Sequence, residues 1–118
     1  MGEQDVRRAL SPVREWLEIR LAETPSDLAE AVHRLLAAAG GEPTPQRMAD
    51  AAIDMFDRIS TAPHDRAGAL GLLAADALLT YAFEAAADPA LGGSFEKAMR
   101  LAREAGPAGE LGRRCAAS

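Results

Sequence analysis

The sequence predicts an all-α fold, with four to five helices in an antiparallel bundle joined by short turns. Three observations carry this. Apolar residues recur at helical spacing in every long segment, and none alternates as a strand would. The chain is 48% apolar but only 4% aromatic. Ala and Leu, which supply most of that apolar share, suit close helix packing and suit strands poorly. Finally, Pro, Gly and Ser/Thr fall between the periodic segments as start and stop signals. The 118 residues make one domain, set at 1–105. Residues 106–118, GPAGELGRRCAAS, lack periodicity and are expected to form a flexible tail. No internal repeat is evident.

The first periodic run is Val6, Leu10, Val13, Leu17 and Leu21, with Trp16 beside it. Ser11-Pro12 interrupts the run, either starting a new helix or kinking a continuous one. A second helix is signalled by Thr24 as N-cap, Pro25 at the first helical position and Asp27 completing a capping-box-like pattern. Its expected inner face is Leu28, Ala31, Val32, Leu35, Leu36 and Ala39, and Gly40-Gly41 ends it. Thr44-Pro45 repeats the start signal for a third helix, expected to bury Met48, Ala51, Ala52, Met55, Phe56 and Ile59. Ser60-Thr61-Ala62-Pro63 stops it, because the residue before a proline disfavours helix.

Residues 65–88, DRAGALGLLAADALLTYAFEAAAD, form the longest predicted helix, apolar almost all round. Only Asp76, Thr80 and Glu84 interrupt it, as one narrow stripe at i, i+4 and i+8. A helix with so little polar surface needs protein on most sides. It is expected at the centre of the bundle, with a second copy covering what the other helices leave open, giving a two-fold homodimer. Ala67, Gly71, Ala74, Ala75, Ala82 and Ala86 would let a partner helix approach closely. Leu72, Leu79, Phe83, Trp16 and Tyr81 are the candidate interface anchors. Asp88-Pro89 and Gly92-Gly93 close this helix, and Ser94 caps a short fifth one with Phe95, Ala98, Met99 and Ala102 inward.

Charge narrows the classes of partner. A net charge of −5, with no Lys/Arg-rich run, argues against nucleic acid and against an anionic membrane surface. Segment 65–88 is long enough to span a bilayer, but Asp76 near its centre costs roughly 3 kcal/mol there, so a membrane span is rejected. The N-terminus MGEQDVRRAL has no apolar signal core, and Cys115 is the single cysteine. A cytoplasmic location fits both.

Few residues invite a chemical reading. Asp76 stands between Ala75 and Ala77 in the most apolar helix. Its stripe with Thr80 and Glu84 either faces water, or pairs with Arg14, Arg20 or Arg34, or forms a ligand or partner site. Asp50, Asp54 and Asp57 share one helix face and are weak candidates for Mg²⁺. The plainer reading is a solvated face with Arg47–Asp50 and Asp54–Arg58 pairs. His33 and His64 lack a nucleophile or further ligands at a readable spacing, so no catalytic or metal site follows from them. The paired glycines are helix stops, and no phosphate-loop pattern exists.

Two segments resemble the N-terminal half of the trans-isoprenyl diphosphate synthases, the all-helical polyprenyl synthetase family. HRLLAAAGG, residues 33–41, is similar to the family's second helix, which ends in Gly-Gly before a basic diphosphate-binding segment. LLAADALLTYAFEAAA, residues 72–87, is similar to its L-A-G-D-A-L-L-x-x-A-F-E helix, matched by Asp76, Ala77, Leu78, Leu79, Ala82, Phe83 and Glu84. Residues 51–65 faintly resemble the helix between them. The resemblance implies an all-helical fold. It does not imply the chemistry, because Glu42-Pro43-Thr44-Pro45 follows Gly41 where the family has Lys and Arg. The family's D-D-x-x-D motif is absent, with only His64-Asp65-Arg66 near its place. Prenyl transfer needs several carboxylates holding Mg²⁺ against the diphosphate. The expectation is a shortened, non-catalytic relative in which no catalytic residue carries over.

Two functions follow as expectations. The first is a non-enzymatic helical interaction or oligomerisation module, partnered by itself or by another helical protein, with no cofactor. The second is a binder of, or enzyme acting on, an isoprenoid or other apolar diphosphate in the bundle interior. Asp76 or the Asp50/Asp54/Asp57 face would then be its polar end, and Mg²⁺ enters only there. Basic residues near Gly41 discriminate the two, and Arg47 is the only one close in sequence.

Overall fold

A computed structural model describes residues 12–59 and 65–105. These residues form five α-helices and no strand: α1 Pro12–Ala22, α2 Ser26–Ala39, α3 Pro45–Ile59, α4 Arg66–Ala87 and α5 Phe95–Ala105. A 3₁₀ turn, Pro89–Leu91, joins α4 to α5. The all-α class read from the sequence is thus the observed one. Val6, Leu10, Ser11, the Ser60–Pro63 stop, His64, Cys115 and the 106–118 tail lie outside the described residues.

Capping chemistry sets most of the boundaries. Thr44 Oγ1 accepts from Arg47 N at 3.1 Å and starts α3. Asp65 Oδ1 accepts from Gly68 N at 2.8 Å at the head of α4. Ser94 Oγ accepts from Lys97 N at 3.1 Å at the head of α5. Each side chain satisfies an amide that the first helical turn leaves without a partner. At the end of α2, Gly40 and Gly41 take φ of 75° and 71°, a region where a Cβ is strained. Asp88 accepts from Ala90 N at 2.9 Å and nucleates the 3₁₀ turn.

The start of α2 differs from the sequence expectation. Pro25 occupies the cap position and no side chain caps the helix. Thr24 is engaged elsewhere: its Oγ1 donates back to Arg20 O at 3.0 Å and lies 3.2 Å from Tyr81 Oη. A hydroxyl that closes the end of α1 is not free to serve the next helix. Asp27 instead accepts from Leu28 N at 2.9 Å.

The core is aliphatic. Leu17, Val32, Met48 and Leu78 are its largest fully buried side chains. Among the described residues no polar or charged side chain is buried. α4 packs most extensively on α3 and also on α2 and α5. Ala49 and Ile53 of α3 are buried, with Met48 and Ala52, while Ala51, Met55, Phe56 and Ile59 are half-buried. The contact face of α3 is therefore the expected one widened on one side by Ala49 and Ile53, with Ala51, Met55 and Phe56 packed against the core.

Three inward assignments are corrected. Ala39 is exposed, because α2 leaves the packing just before Gly40. Phe95 and Met99 are 78% and 42% exposed, while Leu101 is buried at 4%. On α5 the contact row is Ala98, Leu101 and Ala102, at i, i+3 and i+4. Phe95 precedes that row by a turn, and Met99 lies one residue round from it.

The small residues of α4 are also corrected. Ala74, Ala75, Ala82 and Ala86 are buried within this chain. A Cβ added at Gly71 would meet Met55 Sδ and Ile59 Cδ1 at 3.5 Å. The close-approach side of α4 is therefore occupied by the chain's own helices and is closed to a second copy. Only Ala67 of that set is exposed.

Candidate functional site

A helix with small residues inward must carry its large ones elsewhere. On α4, Leu72, Asp76, Leu79 and Phe83 are spaced by four, three and four residues, so they share one face. Leu72 and Leu73 are 45% and 56% exposed. Asp76, Thr80 and Glu84 are exposed, and Leu79 and Phe83 are half-buried. The result is an outward face where aliphatic and aromatic side chains flank a polar stripe. The expectation of a helix covered on most sides does not hold within one chain. Leu73 escaped the sequence reading. The signal was its spacing, three before Asp76 and seven before Thr80, which puts it on the polar stripe itself.

The stripe has its own partners. Thr80 Oγ1 donates to Asp76 O at 3.0 Å, a bond back to its own helix. The arginine brought to the stripe is Arg20, and it meets Glu84 rather than Asp76, with Nη1 donating to Oε1 at 3.1 Å. The Arg20 guanidinium also lies 4.5 Å over the Trp16 ring. Trp16 meets Tyr81 edge to face, with centroids 6.2 Å apart and planes at 87°. Trp16 and Tyr81, two of the candidate interface anchors, thus join α1 to α4 inside the chain.

The acidic face of α3 is solvated. Asp50 accepts from Gln46 Nε2 at 2.9 Å. Asp54 pairs with Arg58 one turn on. The expected Arg47–Asp50 pair is replaced, since Arg47 turns back and donates from Nη1 to Gly40 O at 3.1 Å. Among the described residues, no three His, Cys, Asp or Glu side chains converge in a metal-like cluster. His33 Nε2 lies 3.0 Å from Glu18 Oε1 and links α2 to α1.

Clefts occur where the helices diverge. One of about 390 Å³ lies beside the Gly40–Gly41 turn, lined by Arg14, His33 and Arg47 over an apolar floor. Sequence distance hid Arg14 from that group, although it falls on the same face of α1 as buried Leu17 and Leu21. A second, of about 230 Å³, is lined by Ala31, Leu35, Met55, Leu70 and Ala74 with Arg34. By length and composition α4 is also apolar enough to cross a membrane, the property that Asp76 opposes. No family model matches the chain, and no characterised protein or solved structure matches it significantly.

Proposed function

We propose that the protein is a non-enzymatic helical interaction module that self-associates as a two-fold homodimer through the outer face of α4. One observation carries the reading: Leu72 and Leu73, at 45% and 56% exposed, stand on a 22-residue helix whose inner side is already packed. Removing such side chains from water yields roughly 25 cal/mol per Å². A standard interface buries about 800 Å² per partner, more than a single helix face provides. Ile19 on α1, or Phe95 and Met99 on α5, would complete it, and all three are exposed. In this proposal the helices form an antiparallel bundle in a cytoplasmic protein. The likeness of residues 33–41 and 72–87 to the polyprenyl synthetases would then mark a non-catalytic relative.

The alternative, a binder of or enzyme acting on an isoprenoid or other apolar diphosphate in the bundle interior, with Mg²⁺, has less behind it. Leu17, Val32, Met48 and Leu78 fill the interior. Asp76, Asp50, Asp54 and Asp57 all point to solvent and offer no polar end within it.

Light scattering after size exclusion tests the proposal. The expected mass is twice 12.4 kDa, returning to a single chain in the double variant Leu72→Glu, Leu73→Glu. A wild-type mass of one chain at about 100 μM, well above a Kd that a functional homodimer requires, would overturn it.

A further inference from the structure

The cleft beside the Gly40–Gly41 turn has no part in the association proposed above. Its volume, about 390 Å³, falls within the range of small-molecule sites. Leu36, Ala37, Ala39 and Pro43 give it an apolar lining. Arg14 from α1 and Arg47 from α3 both line it.

Arg47 is seated there by the turn. Its guanidinium rests against Gly41, where an added Cβ would lie 2.6 Å from Nη1. Its partner among the described residues is the neutral Gly40 carbonyl, and no carboxylate pairs with it. Arg14 Nε lies 3.5 Å from Glu42 Oε2, and His33 is engaged by Glu18. Two guanidiniums against the Glu42 carboxylate leave at most one net positive charge. The C-terminal end of α2 attracts a cation on its own account, which explains one donor of Arg47. It does not explain why two arginines line one apolar cleft.

We infer that this cleft binds an aliphatic monocarboxylate, with its chain on Leu36, Ala37 and Ala39 and its carboxylate on Arg47 and Arg14. Arginine presents paired donors to a carboxylate. The small net charge matches one negative charge better than several. The apolar lining distinguishes a fatty-acid-like ligand from a bare anion.

The test titrates octanoate into the full ¹⁵N-labelled chain and follows the Gly40 and Gly41 amides, with octanol and inorganic phosphate as controls. Octanoate is expected to shift both amides saturably, at least tenfold more tightly than either control. Arg47→Gln should weaken octanoate about tenfold, equivalent to about 1.4 kcal/mol. Ala37→Glu should abolish the shifts by filling the cleft with a like charge, while amides remote from it stay unchanged. Three results would each overturn the inference. They are no saturable shift up to about 10 mM octanoate, phosphate binding as tightly as octanoate, or equal octanoate affinity in Arg47→Gln.

Discussion

Arg20 on α1 donates to Glu84 on α4 across 3.1 Å, while its guanidinium carbon lies over the Trp16 ring, 4.5 Å from the centroid. One side chain therefore makes two kinds of contact. The ion pair is solvent-screened, with side chains 39% and 42% exposed, so it contributes little. The stacking contributes about 0.5–1 kcal/mol. Glu84→Gln should cost less than about 0.5 kcal/mol and Arg20→Ala about 1 kcal/mol, with Arg20→Lys between them. Urea unfolding measures all three. Equal losses for Glu84→Gln and Arg20→Ala would assign the contact to charge instead of stacking.

The two sides of α4 should respond in opposite ways to truncation. Leu78 is fully buried, so Leu78→Ala should lose about 2–5 kcal/mol through lost transfer energy and a cavity. Leu73 is 56% exposed, so Leu73→Ala should change monomer stability by no more than about 0.5 kcal/mol. Chemical denaturation at low protein concentration separates these from any effect on association.

Adjacent glycines after the 3₁₀ turn should differ sharply. Gly92 has φ of 76° and open space around it, so Gly92→Ala should cost about 1 kcal/mol and Gly92→Asn less. A Cβ at Gly93 would stand 2.3 Å from Ala86 O and 2.7 Å from Ala86 C. Backbone cannot yield as a side-chain tip can, and Ala86 O already accepts from Ser94 N at 2.9 Å. Gly93→Ala should therefore cost about 2–3 kcal/mol, near the upper end for single substitutions. A melting temperature no lower than that of Gly92→Ala would contradict this geometry.

Asp76 reports on the proposed interface. It is exposed and shares a face with Leu72, Leu79 and Phe83. Enclosing its carboxylate between two copies costs desolvation, so Asp76→Ala should tighten the dimer severalfold while raising monomer stability by only about 0.5 kcal/mol through helix propensity. Sedimentation equilibrium gives the dissociation constant. A weaker dimer in Asp76→Ala would mean that the carboxylate is a paired contributor to the contact.

Local chemistry was legible in the sequence where it acted locally. Thr44, Ser94 and the Gly40–Gly41 stop all sit where their side chains or φ angles require. Thr24 was misread because Arg20 O and Tyr81, the latter 57 positions away, claim its hydroxyl. Periodicity also located the helices better than their phase. Phe95 and Met99 match an inward row as well as Leu101 does until neighbouring helices decide which row is covered. The Arg14–Arg47 cleft was invisible for the same reason: it depends on how α1 lies against the end of α2, and no spacing along the chain encodes that.

The alanines of α4 have a consequence for how this surface can change. Ala74, Ala75, Ala82 and Ala86 are buried where α4 packs on its neighbouring helices, so little side-chain volume separates those helices from the α4 backbone. Any enlargement there must be absorbed by the whole interior. Leu72 and Leu73 bear no such constraint, because only solvent adjoins much of their surface. Substitutions on that side can alter what the protein meets without altering how it folds. The two sides of one helix thus answer to different demands, the inner row to the fold and the outer row to what the protein meets.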